Sequence, residues 1–207
     1  MTSPKNSAPN VETLAISHPH PDHDGGEGAV RRELGVDRTW RGEGDQTLVL
    51  GNEYVLAPGV HALILNPPDG RYVNKNDAID RSLALLVSWG DTGVVFTGDA
   101  GPAMSKSLAA AATPLPAHIA LQAPHHGGSP EACRTLSAAL RPEVSVISVG
   151  RNTYGHPKQG AVAALETSGR VLRTDRDGAV FLRSDGLRWE VRTWRELSTG
   201  RTWAERL

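Results

Sequence analysis

The sequence predicts a mixed α/β fold built as a single domain over residues 1–207. Two observations predict it. Apolar runs of strand length alternate with stretches of helix length, and no internal repeat or low-complexity tract interrupts them. A chain of 207 residues and 22.1 kDa is long enough for one hydrophobic core and too short for two comfortable ones.

Residues 1–10 are polar and read as disordered. Val11 to Ile16 is an apolar run that reads as a buried strand and ends at Ser17, where a His- and Pro-rich loop begins. Residues 27–35 read as a short helix. From Arg38 to Asn76 short strands alternate with Gly- and Pro-rich turns, Val60 to Leu65 being the clearest. Ser82 to Ser88 and Val94 to Thr97 are apolar runs joined by Trp89-Gly90-Asp91-Thr92-Gly93, a β-hairpin that runs out at Gly98-Asp99. Ala103 to Ala112 is helical by alanine propensity and is stopped by Pro114 and Pro116. His118 to Gln122 then reads as a strand, Glu131 to Leu140 as a helix, Val144 to Val149 as a strand and Gly160 to Thr167 as a helix. Arg170 to Val191 reads as short strands broken at Asp177-Gly178 and Asp185-Gly186, and residues 193–207 as a polar, peripheral tail.

With 39% hydrophobic and 22% charged residues and a formal net charge of -1, the chain is neither disordered, collagenous nor coiled-coil. It has no apolar run of about 18 residues and a polar N-terminus, so neither a membrane span nor a secretory signal is expected, and the chain as written is expected in the cytoplasm. Charge is uneven: residues 1–100 carry 8 basic and 14 acidic side chains, 101–168 carry 5 and 3, and 169–207 carry 9 and 6, a balance of -6, +2 and +3. With only 5% aromatic residues and no basic patch, a simple nucleic-acid-binding module is disfavoured. Cys133 is the single cysteine, so any bound metal must be held by histidine and carboxylate.

Six of the eight histidines lie in three short loops: Ser17-His18-Pro19-His20-Pro21-Asp22-His23, Ala123-Pro124-His125-His126-Gly127-Gly128 and Tyr154-Gly155-His156-Pro157. Each follows a predicted strand, which gathers imidazoles where loops on a rigid sheet carry function. The first loop places three imidazoles and one carboxylate within six residues. That mixture of nitrogen and oxygen donors suits zinc or manganese, and alternating positions can divide the ligands between two ions. Asp99, at the end of the Val94-Val95-Phe96-Thr97 strand, is suited to bridging two such cations.

These residues resemble the metallo-β-lactamase superfamily, with its HxHxDH loop, lone bridging Asp and later His. The resemblance is closest to the ComEC branch of competence proteins, carried by SHPHPDHDGG, the Asp80-to-Leu83 strand start, Phe96-Thr97-Gly98-Asp99, Pro124 to Gly128, and Ser148 to Pro157, over residues 11 to about 184. It implies a four-layer αββα sandwich. It also implies His18, His20, Asp22 and His23 as metal ligands, Asp99 as the bridging ligand and one of His125 and His126 as the last, His125 being favoured. The Asp80-Arg81-Ser82 stretch occupies the position of a further metal-binding histidine in many superfamily members. Asp22 and His156 are the implied catalytic groups, with His126, Ser82, Asn152 and Tyr154 near substrate.

The family's domain begins with two or three strands ahead of the histidine loop, whereas here that loop begins at residue 18. The expectation is a fragment or shortened relative whose first sheet lacks its N-terminal strands, with an exposed strand near Val11 to Ile16 open to dimerisation. By the same resemblance, a full-length relative would hold this domain on the extracytoplasmic side of a membrane channel for incoming single-stranded DNA. Two bound cations bring the pKa of water toward about 7 and offset charge on a phosphoryl or carbonyl oxygen. The reaction expected is phosphodiester hydrolysis, with single-stranded DNA as partner. Hydrolysis of a small ester, thioester or lactone is the alternative enzymatic reading, and a non-catalytic remnant or DNA-binding module the third.

Overall fold

The computed structural model describes residues 10–41, 48–66, 82–112 and 114–199. Of the disordered start expected over residues 1–10, residues 1–9 lie outside the described residues, as do residues 42–47 and 67–76 of the strand-and-turn segment expected from Arg38 to Asn76, the Asp80-Arg81 pair and residues 200–207 of the tail; Asn10 is instead ordered, pairing with Gly35.

The described residues open with a β-α-β unit. Strand β1 (Asn10–Ile16) leads into the short helices α1 (Pro21–Asp24) and α2 (Glu27–Glu33) and then β2 (Gly35–Arg41), which pairs parallel to β1. Helix α1 forms inside the expected loop because Pro21 at its first position needs no hydrogen-bond donor and Asp22 and Asp24 face its positive end. Gly35, expected to end a helix, instead opens β2, whose Val36 and Thr39 favour extended backbone.

Among the described residues seven strands follow in one sheet, ordered β3 (Glu53–Ala57), β4 (Val60–Asn66), β5 (Ala84–Trp89), β6 (Thr92–Phe96), β7 (His118–Gln122), β8 (Val144–Ile147) and β9 (Arg170–Arg173). Neighbours are antiparallel from β3 to β6 and parallel from β6 to β9. The β5–β6 connection is tighter than its sequence suggests: Trp89 pairs with Thr92, leaving Gly90-Asp91 as the turn, and Gly90 takes the positive φ of 56°. Parallel neighbours need long crossovers. Helices α3 (Pro102–Ala111), α4 (Pro130–Leu140) and α5 (Gln159–Glu166) provide them. Beyond β9 lie one turn of helix, α6 (Thr174–Asp177), the antiparallel hairpin β10 (Val180–Ser184) and β11 (Trp189–Thr193), and α7 (Trp194–Ser198), whose first turn is closed by a Thr193–Glu196 capping box.

Strand alternation sorts the core into layers. Leu86, Val95, Leu121, Ile147 and Val171 face α3, α4 and α5, and α4 buries Ala132, Cys133, Leu136 and Leu140 against them. On the opposite face Ile64 and Leu85 pack against Trp40 of β2, while Ala120, Val144 and Leu172 meet Val180, Leu182, Trp189 and Val191 of the hairpin. Thr39 and Arg41, on the other side of β2 from Trp40, bond to Arg31 and Glu27 of α2. Helix, small sheet, large sheet and helices therefore succeed one another as α, β, β, α. Among the described residues no helix is long and apolar enough to cross a membrane.

Candidate metal centre

All three histidine loops and Asp99 meet at one end of the large sheet, beyond the C-terminal ends of β6, β7 and β8. Asp99 follows β6 through a turn in which Gly98 has a φ of 52°. A Cβ at Gly98 would lie 2.7 Å from Ser82 Cβ and 3.0 Å from Ser17 Cβ, so the close approach of β1 and the sheet requires glycine there. Gln122 fixes the same turn, its Oε1 accepting the Thr97 and Gly98 N–H groups at 2.9 and 3.0 Å.

His18 is buried at 2% exposure, and Ser17 Oγ and Ser82 Oγ lie 3.1 and 3.2 Å from its Nδ1. Its Nε2 lies 3.1 Å from His20 Nδ1 and 3.7 Å from Asp99 Oδ2. His23 sits between Ser17 Oγ, 3.1 Å from Nδ1, and Asp99 Oδ1, 3.2 Å from Nε2. His126 donates Nδ1–H to the Ser148 carbonyl at 2.8 Å, which leaves Nε2 free to act as a ligand. That Nε2 is 3.2 Å from His23 Nε2, 3.3 Å from Asp22 Oδ2 and 3.5 Å from Asp99 Oδ1. Two groups of three donors result, His18–His23–Asp99 and Asp22–His23–His126. His125, favoured from the sequence, places Nε2 3.8 Å from Asp99 Oδ2 and belongs to neither group.

The donor set fits a divalent cation. Asp99 Oδ1 is buried and accepts no well-aligned hydrogen bond, while imidazole nitrogens converge on it. Separations of 3.2 to 3.7 Å between these donors match the edge of a tetrahedron of ligands, about 3.4 Å for bonds near 2.05 Å. Burial holds the His18 imidazole down at about 4, helped by the neighbouring His23, so it is neutral at pH 7, the form in which an imidazole can bind a cation. Burial works to raise the Asp99 carboxyl, but His23, His126 and His125 outweigh it and hold the group below its ordinary range. The Asp99 carboxylate in turn raises the His23 imidazole.

The remaining expected residues have distinct places. Ser82 is fully buried, and its Oγ accepts the Asp99 N–H at 3.0 Å beside His18, so it holds those two groups in place away from the cleft. Asn152 is turned onto its own loop, donating to the carbonyls of Gly150 and His156 and accepting the His156 N–H, each at 2.9 Å. His156 lies 5.5 Å from His125 between ring centroids, and burial lowers its imidazole. Tyr154 stands 75% exposed. Ser17, Gln122 and the Ser148 carbonyl were not singled out from the sequence; the one visible signal was a polar Gln ending an otherwise apolar strand.

Two clefts reach the cluster, and Asp22 and His126 border both. One, of about 630 Å³, lies between the small and large sheets and is walled by Trp40, Leu83, Leu85, Val87 and Phe96. The other, of about 690 Å³, lies on the side of Arg151, Asn152, Tyr154 and His156.

No protein-family model matches the sequence. The chain is 30% identical over 162 residues to "Recombination protein 2" of Haemophilus influenzae, across 75% of this chain and 20% of that protein. It is 27% identical over 177 residues to "Competence protein ComA" of Neisseria gonorrhoeae, across 82% of this chain and 25% of that protein. The chain thus spans a fifth to a quarter of the length of these relatives. Among solved structures it resembles CmlA, a diiron β-hydroxylase from Streptomyces venezuelae, and its E377D mutant, each with a TM-score of 0.51 at 13% and 12% identity, over 80% and 79% of this chain and 44% and 43% of theirs. The fold is that of the metallo-β-lactamase superfamily.

Proposed function

We propose that this chain is a metal-dependent phosphodiesterase of the ComEC type that cleaves single-stranded DNA, using two divalent ions, zinc or manganese. The observation that carries the reading is the buried Asp99 Oδ1, which accepts no well-aligned hydrogen bond and lies at the meeting point of the imidazoles of His23 and His126. His18, His20, Asp22, His23, Asp99 and His126 are the proposed ligands, with His125 beside them. When bound, such cations acidify water and neutralise charge growing on a phosphoryl oxygen. The exposed carboxylate of Asp22, 61% accessible and bordering both clefts, would accept a proton from the attacking water. His156, on a loop fixed by Asn152, would relay a proton from solvent to the departing oxygen, its lowered imidazole being neutral between turnovers. Likeness to a competence protein and a recombination protein favours DNA over other phosphodiesters.

The apolar wall of Trp40, Leu83, Leu85, Val87 and Phe96 favours a second reading, hydrolysis of a small apolar ester. One experiment separates them. The protein is purified after growth with zinc and manganese, its metal content measured by mass spectrometry, and its activity assayed on labelled single-stranded oligonucleotides and on short-chain aryl esters, beside Asp99→Ala. Close to two ions per chain and DNA cleavage, both lost in the variant, are expected. Metal-dependent ester cleavage with intact DNA would replace the first reading by the second.

A further inference from the structure

We propose that Tyr154 is a stacking platform for a nucleobase next to the scissile phosphate, and that the cleft it borders is the track of the nucleic-acid strand. The inference deepens the phosphodiesterase reading and rests on it.

Tyr154 is a large aromatic residue left 75% exposed, on a loop built to hold it still. The Asn152 amide makes three hydrogen bonds within that loop, and Lys158 donates Nζ–H to the Tyr154 carbonyl and its backbone N–H to Gly127, both at 2.9 Å. The ring is backed on one face by His156, 5.9 Å between centroids with 28° between planes. His156 in turn lies edge-on to His125, whose Nε2 is 3.8 Å from Asp99. An unbroken series of ring contacts therefore runs from the ligand cluster out to Tyr154. A phosphate held at the cluster leaves its neighbouring sugar and base to extend along this series.

The chemistry of the cleft favours a ring as the ligand's recognised part. Its wall carries Val149 and Gly150 beside Tyr154, and Asn152, the amide best suited to read a base edge, has both its N–H donors committed to the loop. Recognition by a π-face alone accepts every base, as a strand-degrading enzyme requires. Exposed Arg151 lines the same cleft and supplies a cation for a flanking phosphate. A fixed aromatic gives up little conformational freedom on binding, so the stack retains most of its free energy.

The test uses the metal-loaded protein and two fluorescent phosphorothioate strands of equal length and charge, an oligothymidylate and its abasic tetrahydrofuran analogue. Binding is read by anisotropy, and cleavage of the ordinary phosphodiester strands is followed separately. The wild type should bind the base-bearing strand roughly 5- to 150-fold tighter than the abasic one, the range that one stacked base supplies. That ratio should fall toward one in Tyr154→Ala and persist in Tyr154→Phe, which keeps the ring and loses the hydroxyl. A ratio unmoved by Tyr154→Ala overturns the platform, and equal loss in both variants overturns it in favour of a hydroxyl contact to phosphate. Cleavage with a flat ratio removes the platform and leaves the phosphodiesterase reading standing; the expected ratio with no cleavage by any metal form does the reverse.

Discussion

His125 and His126 both lie in the left-handed region, with φ values of 49° and 53°, where an L side chain is strained. Each Cβ there costs about 1 to 2 kcal/mol. Glycine escapes that cost but loses about 0.5 to 1 kcal/mol more chain entropy on folding. Replacing either histidine by Gly and by Ala removes the same imidazole, so its hydrogen bonds cancel in the comparison and only the backbone differs. The Gly variant should be the more stable of each pair by about 0.5 to 1 kcal/mol, the reverse of the order at an ordinary helical position. Urea unfolding followed by tryptophan fluorescence, in EDTA so that metal binding does not contribute, reads the difference. Arg141, which ends α4 with a φ of 47° far from the ligands, is the internal control and should behave alike. Ala variants as stable as Gly variants at both histidines, with Arg141 behaving as expected, would refute the argument that the site strains the backbone.

Gly128→Ala would put a Cβ 2.6 Å from the His156 ring and 2.9 Å from the His125 carbonyl, so DNA cleavage should fall on the order of 100-fold while mass spectrometry finds the metal content retained. Cys133 is fully buried and its thiol is pushed up to about 12 by burial, so the native protein should resist a disulfide reagent at pH 8 and react only on unfolding. Glu196 is held below the usual carboxylate range, chiefly by the Thr193 N–H, with Arg170 assisting. Its contribution is therefore present above the ordinary carboxylate pKa and lost as pH falls through the lowered one. Glu196→Ala should cost about 1 kcal/mol at pH 7 in urea unfolding, and the gap should close in acid.

The donor cluster was legible because histidine and carboxylate at alternating positions after an apolar run have few other uses, and the three loops do converge. What could not be read was which donors meet. The position of His126 depends on a hydrogen bond to the carbonyl of Ser148, a main-chain atom with no side-chain signature. Left-handed backbone at two adjacent histidines likewise has no local cue, since glycine or asparagine ordinarily marks it. Most strands and helices of the second half were visible from period and breakers, because β7, α4, β8 and α5 are separated by Pro and Gly. The single turn of α6 was too short to show a period, and the parallel pairing of β1 with β2 rests on contacts across a crossover that no window of sequence contains.

That pairing has a kinetic consequence. Among the described residues the small sheet exchanges strand hydrogen bonds only within itself, and Trp40's packing, the Leu83 N–H bond to Ser17 and the contacts of His18 and His23 tie it to the large sheet. Residues 10–41 are contiguous in sequence, and an opening of this unit with the seven-stranded sheet still folded is expected to break the His18–Ser82, His23–Asp99 and His23–His126 contacts. His18, His20, Asp22 and His23 would leave with that unit, and Asp99, His125 and His126 would stay behind. Loss of metal to a chelator and amide exchange along β1 become two readouts of one opening, sharing one rate when that opening limits both.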